Sequence, residues 1–190
     1  MKPKTIYVFL ILILGTSCSN VNKQEKEQIT EKKPLVATSY FSGFDWAHDT
    51  YNAISAASDG KIYYVLSSQP HDVAGQVHVY DPATDKTQFL ADLTEICGEK
   101  DKKVIAQGKS HVRFYESEGK LYFSTHVGYY EMIDGAEHLP ENAPEGYKLY
   151  PGGHFLYYDM TTKELVSLAL APKGEGILTM TMDKEREHLY

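Results

Sequence analysis

A chain of 190 residues with 26 acidic and 19 basic side chains carries a formal charge of −7, which makes it a poor partner for nucleic acid or anionic lipid surfaces. Its two cysteines, Cys18 and Cys97, are too few for a disulfide framework, a c-type haem site or a cysteine-based zinc site. Fifteen tyrosines, with no long stretch of helical period, predict an all-β fold.

The first element in chain order is an export signal. Lys2 and Lys4 precede the unbroken apolar run Ile6–Leu14, which is too short to cross a bilayer, since about 20 residues are needed. The small residues Gly15, Thr16 and Ser17 then lead to Cys18, completing the layout of a secretory signal peptide over residues 1–17. A cysteine directly after small residues resembles a bacterial lipoprotein lipobox, with the departure that Gly15 stands where the usual pattern has leucine. The resemblance implies cleavage before Cys18, lipidation of its thiol, and anchoring in the cell envelope at the outer membrane of a Gram-negative bacterium. The alternative is plain secretion with Cys18 left as a thiol. Cleavage removes two lysines and no acid. Lipidation would leave Cys97 without a partner. Residues 18–34, the cysteine and then "SNVNKQEKEQITEKKP", are polar and free of aromatics and predict a flexible tether.

Beyond the tether the chain matches itself. "ASDGKIYYVLS" (Ala57–Ser67) superposes without a gap on "ESEGKLYFSTH" (Glu116–His126), and "GQVHVYDPATDKTQFLA" (Gly75–Ala91) on "GHFLYYDMTTKELVSLA" (Gly153–Ala169). Each unit predicts four strands. An inner strand turns at "SDG" or "SEG" into a second strand, a third ends in "YD", and a polar turn leads to a fourth. Asp59-Gly60 and Glu118-Gly119 supply the left-handed backbone that a hairpin needs. A third unit begins at "GEGILTMTMD".

Four-stranded units joined through a "YD" turn resemble β-propeller blades of the bacterial kind grouped with the NHL, YVTN and streptogramin-lyase-like families. The resemblance implies a first blade over about 51–95, a second over about 104–171 and the start of a third over about 175–190. Because propellers close with 4–8 blades, it implies an incomplete ring, the N-terminal part of a longer propeller, with an unpaired blade face.

Chemistry is expected where the repeat breaks. The second unit carries an insertion over about 127–152, "VGYYEMIDGAEHLPENAPEGYKLYPG". Long loops on a rigid frame concentrate function. Tyr129, Tyr130, Glu131, Tyr147 and Tyr150 are candidate ligand-binding residues for a glycan or a peptide, the alternative being a loop packed on itself. His111 and His126 stand where the first unit has Asn52 and Ser67, and His154 where it has Gln76. The frame requires histidine at none of these positions. All three are candidate ligands for a divalent metal such as zinc, manganese or iron, with Asp49, Glu131 or Glu175 as carboxylates. Arg113 replaces Ile54, and with His111 it is a candidate catalytic residue able to stabilise a developing anion. Two registers of the Glu118-Gly119 turn remain open. A two-residue turn sets His111 opposite His126 on one face; a three-residue bulged turn sends them to opposite faces.

Two functions follow. One is a membrane-tethered module that binds a glycan or protein partner. The other is a metal-assisted lyase or hydrolase acting on a carbohydrate or lactone, chemistry that the resemblance to bacterial propeller lyases also implies. A quinone-dependent redox propeller is disfavoured, because Trp46 is the single tryptophan.

Overall fold

The computed structural model describes residues 34–190. The export segment, Cys18 and all of the tether but Pro34 lie outside the described residues. Among the described residues no helix is long and apolar enough to cross a membrane.

Strands β1 (Ile54–Ala56), β2 (Ile62–Leu66), β3 (Gln76–Asp81) and β4 (Lys86–Asp92) form one four-stranded antiparallel sheet in chain order. A four-residue helix, α1 (Leu93–Ile96), follows, with Asp92 capping it by accepting from Glu95 N. Strands β5 (Tyr115–Ser117) and β6 (Lys120–Ser124) come next. The short hairpin β7 (Glu131–Ile133) and β8 (Ala136–His138) precedes β9 (His154–Asp159) and β10 (Leu165–Leu170). The second four-stranded sheet has the order β10-β9-β6-β5, and neither sheet closes on itself. A last hairpin, β11 (Met182–Asp183) with β12 (His188–Leu189), completes the chain.

Equivalent residues do equivalent work in the two sheets. Asp81 Oδ1 accepts from Ala83 N, and Asp159 Oδ1 from Thr161 N and Thr162 N. These carboxylates shape the turn after each "YD", which closes through left-handed Asp85 and Lys163. The pairing of each outer strand skips one leucine, Leu90 between Phe89 and Ala91 and Leu168 between Ser167 and Ala169. A bulge of this kind bends a strand and increases its twist.

The two first hairpins differ. Left-handed Glu118 (φ 49°) and Gly119 (φ 74°) make a two-residue turn that pairs Ser117 with Lys120 and Tyr115 with Tyr122. At "SDG" only Gly60 is left-handed, and Ala57 N donates to Lys61 O across a three-residue connection. Asp59 braces that loop by accepting from Lys61 N and Tyr63 Oη. The gapless match between the two segments therefore conceals a one-residue slip.

Alternation along the strands places Tyr63, Val65, Val77 and Val79 of the first sheet against Leu121, Phe123, Leu156 and Tyr158 of the second. The Tyr63 and Tyr158 rings lie 5.5 Å apart. Phe123 is wholly buried, so truncation to alanine costs about 3–5 kcal/mol. On its other face the second sheet packs Tyr115, Tyr122 and Phe155 against Ile177, Met180 and Leu189. The other face of the first sheet carries Ile54 and Phe89, both about half exposed. Residues 39–190 thus stack as one unit.

One end of the stack is built from close backbone approaches. A Cβ on Gly128 would sit 2.1 Å from Ser68 O, and one on Gly108 2.6 Å from the Gly128 Cα. Only glycine fits where these strands converge, and candidate chemistry gathers at the same end.

Candidate functional site

Lys109 and His126 exchange both backbone hydrogen bonds, at 2.9 and 2.8 Å. The β5–β6 register would have placed His111 opposite His126. Between Lys109 and Tyr115, however, the chain leaves the ladder, and Phe114 N donates to Ser55 Oγ of the first sheet instead. His111 loops out and returns beside His126, with ring centroids 4.9 Å apart and planes at 68°. Its other neighbour is the Tyr51 ring, at 4.3 Å. The structure thus brings the two histidines together by an irregular path rather than by strand pairing.

His126 is a buried scaffold for this contact. Its Nδ1 lies 3.0 Å from Val127 O and 3.2 Å from Tyr130 Oη. Serving a carbonyl requires the proton on Nδ1. The ring lies flat on Gly176, where a Cβ would come within 2.5 Å of Nε2. Burial pulls the His126 pKa down, helped by Lys109 and opposed by the Val127 carbonyl. His111 is pushed down to about 4, first by burial, then by His126 and Lys109, against the pull of Asp49. It is neutral at neutral pH, and its buried Nε2 has no hydrogen-bond partner.

Lys109 is 1% exposed. Its Nζ donates to Tyr51 Oη at 2.8 Å and sits 4.8 Å from the centroids of both Tyr51 and Tyr130. Two aromatic faces and one hydroxyl replace the water that the ammonium gives up. Nearby, Asp49 Oδ2 meets His48 Nδ1 at 2.5 Å, while its Oδ1 is buried without a partner.

Two clefts open on either side of this cluster. The first, about 440 Å³, is lined by three separate chain segments, through Tyr51, Asn52, His111, Arg113, Thr179 and Met180. Arg113 is exposed, with its guanidinium 4.8 Å from the Tyr115 ring. It lies outside the strands, in the irregular segment that also carries His111. The second cleft, about 410 Å³, is lined by Trp46, His48, Gln69, His71, Tyr129 and Tyr130. Trp46 is 59% exposed.

The inserted tyrosines separate. Tyr129 and Tyr130 line the second cleft. Tyr147 stands behind it, its ring edge-on to His71 at 4.7 Å. Tyr150 is buried, donating to Gln107 Oε1 at 2.7 Å, and burial pushes its pKa far up. Glu131 pairs with His138 on the β7–β8 hairpin and lines neither cleft.

His154 is not part of the histidine pair. Its ring nitrogens meet Glu99 Oε1 at 2.8 Å and Ser167 Oγ at 2.7 Å. Glu99 accepts from Gln107, and Gln107 accepts from both Thr125 and Tyr150. Thr125 N donates to His154 O, so Thr125 faces this network while its neighbour His126 points to the other side. Among the described residues no three His, Cys, Asp or Glu side chains come close enough to hold a metal ion. Both ring nitrogens of His154 are engaged, by Glu99 and Ser167, away from His111 and His126.

The sequence had not marked Trp46, Tyr51, His71 or Lys109 as site residues. Trp46 was weighed only as a lone tryptophan, and nothing in the local pattern distinguishes Lys109 from a solvated lysine. Comparison with known proteins gives no matching family model and no matching curated protein.

Proposed function

We propose that this chain is an exported, lipid-tethered protein of β-propeller blades that binds a glycan in the cleft between Trp46 and Tyr130. The two stacked four-stranded sheets with matching turns and bulges support the blade reading. The observation that carries the function is the exposed Trp46 indole beside Tyr129 and Tyr130, ringed by Gln69, His48, His71 and Asp45. Flat apolar faces cover the C–H side of a sugar, and the surrounding amide, imidazole and carboxylate groups serve its hydroxyls. A protein partner of this size would need a broad surface rather than two narrow clefts.

Binding of the purified chain to a panel of plant, algal and host polysaccharides by affinity electrophoresis tests this. Retardation by at least one polymer, lost in Trp46→Ala, is expected; a panel with no binder removes the proposal. A second reading, a lyase or hydrolase, draws on His111 and Arg113, which line one cleft together. Turnover of a bound polymer that His111→Gln abolishes without weakening binding would favour it.

A further inference from the structure

We propose that the first cleft is an anion subsite, and that the glycan bound at Trp46 is an acidic one whose carboxylate or sulfate ester seats on Arg113 and His111. This rests on the glycan reading and adds the class of sugar.

Charge is the first argument. The chain is net acidic, yet among the described residues the lining of this cleft holds one guanidinium, one imidazole and no carboxylate. Arg113 makes no salt bridge among the described residues, and its partner is the Tyr115 ring. That stacking holds the planar fork with its N–H edge free for a bidentate acceptor. Behind the cleft wall, the Lys109 ammonium is buried with no carboxylate in contact, only Tyr51 and Tyr130. A buried cation without a counter-charge projects a positive potential into a low-dielectric cleft. Asp49 is the acidic group acting on His111, and one of its oxygens is engaged by His48.

Open valence is the second argument. His111 is one of the residues lining the cleft, and its buried Nε2 has no hydrogen-bond partner. A buried polar atom without a partner costs free energy unless a ligand or water completes it. Asn52 and Thr179 add neutral donors on the two flanking segments.

Continuity is the third. Tyr51 lines the anion cleft and Tyr130 the Trp46 cleft, and both rings lie 4.8 Å from the same Lys109 nitrogen. One oligosaccharide can therefore touch both clefts, stacking in one and placing its charge in the other.

The test compares three polymers on the full chain: unsulfated chondroitin, which carries carboxylates only; keratan sulfate, which carries sulfates only; and neutral glucomannan. At least one acidic polymer is expected to bind about tenfold to a hundredfold more tightly than glucomannan, as a charge-assisted hydrogen bond allows, and the better one identifies the group. Arg113→Gln should weaken the acidic polymer down to the level of glucomannan. Equal binding of all three, or equal weakening of all three by Arg113→Gln, overturns the anion subsite while leaving the glycan reading intact. If no polymer binds, the glycan reading fails on its own. The subsite is then decided by the NMR titration of His111 with free glucuronate or sulfate. His126, Lys109, Asp49 and Tyr51 are the titratable groups that act on or touch His111. A midpoint that rises with anion, and not in Arg113→Gln, sustains the subsite; an unmoved midpoint overturns it.

Discussion

The imidazoles of His111 and His126 meet edge to face, with their centroids 4.9 Å apart and planes at 68°. Their roles are unequal. His126 is fixed by Val127 and covered by Gly176, whereas His111 faces a cleft with Nε2 unsatisfied.

Burial of these rings makes stability depend on pH. The folded-state pKa of His111 is about 4, below the ordinary value near 6.5, and those of His126 and His78 are also lowered. The unfolded chain therefore takes up protons first as pH falls, and stability drops from about pH 6.5 towards pH 4. Melting temperature should fall steadily over that window, and His111→Gln should flatten the fall. A variant that melts with the same pH profile as the parent would contradict this.

Lys109 is expected to matter for binding more than for folding. An unpaired buried ammonium is costly, so Lys109→Met, which keeps the stem, should change stability by no more than about 1 kcal/mol or raise it. Lys109→Ala leaves a cavity between Tyr51 and Tyr130 and should cost about 2–4 kcal/mol. Urea denaturation of both variants checks the contrast, and equal losses would show that the charge itself stabilises the fold.

His154 should behave as a structural residue. It shares a buried network with Glu99, Gln107, Thr125, Tyr150 and Ser167. His154→Leu strands the Glu99 carboxylate and should destabilise by about 3–5 kcal/mol. Glu99→Gln keeps hydrogen bonding and should cost less. Ligand affinity of whatever fraction remains folded should be that of the parent; a selective loss of affinity would place His154 in the site.

Gly176→Ala tests the backing of His126. A Cβ there meets the ring at 2.5 Å, closer than packing allows, so the imidazole has to shift against His111 and Tyr130 at a cost of about 1–3 kcal/mol. Displaced His111 and His126 ring resonances are expected; unshifted ones would mean that the ring is not held there.

Much of the strand order was legible because it rests on local chemistry. The "YD" carboxylates fold their own turns, and period-two alternation sets Tyr63, Val65, Leu121 and Phe123 on inner faces. The local sequence admits two registers for the Glu118-Gly119 turn because left-handed glutamate is unfavourable; the pairing of Tyr115 with Tyr122 wins. The rest depended on contacts distant in sequence. His111 reaches His126 only because Phe114 is drawn to Ser55, and His154 leaves the pair because Glu99, far back in the chain, takes its Nε2. Lys109 is buried by Tyr51 and Tyr130, neither of them near it in sequence. The insertion, expected as a loop, contains the β7–β8 hairpin, turned by left-handed Asp134 and Gly135.

Trp46 is the sole tryptophan, so fluorescence excited selectively in the tryptophan band, away from the tyrosines, reports its cleft. Titrating the purified chain with the tightest-binding oligosaccharide of the panel should quench or blue-shift the emission saturably, with the same midpoint as binding measured independently. Emission that stays constant while the oligosaccharide binds, with Trp46→Ala binding it equally well, would contradict a glycan site at Trp46.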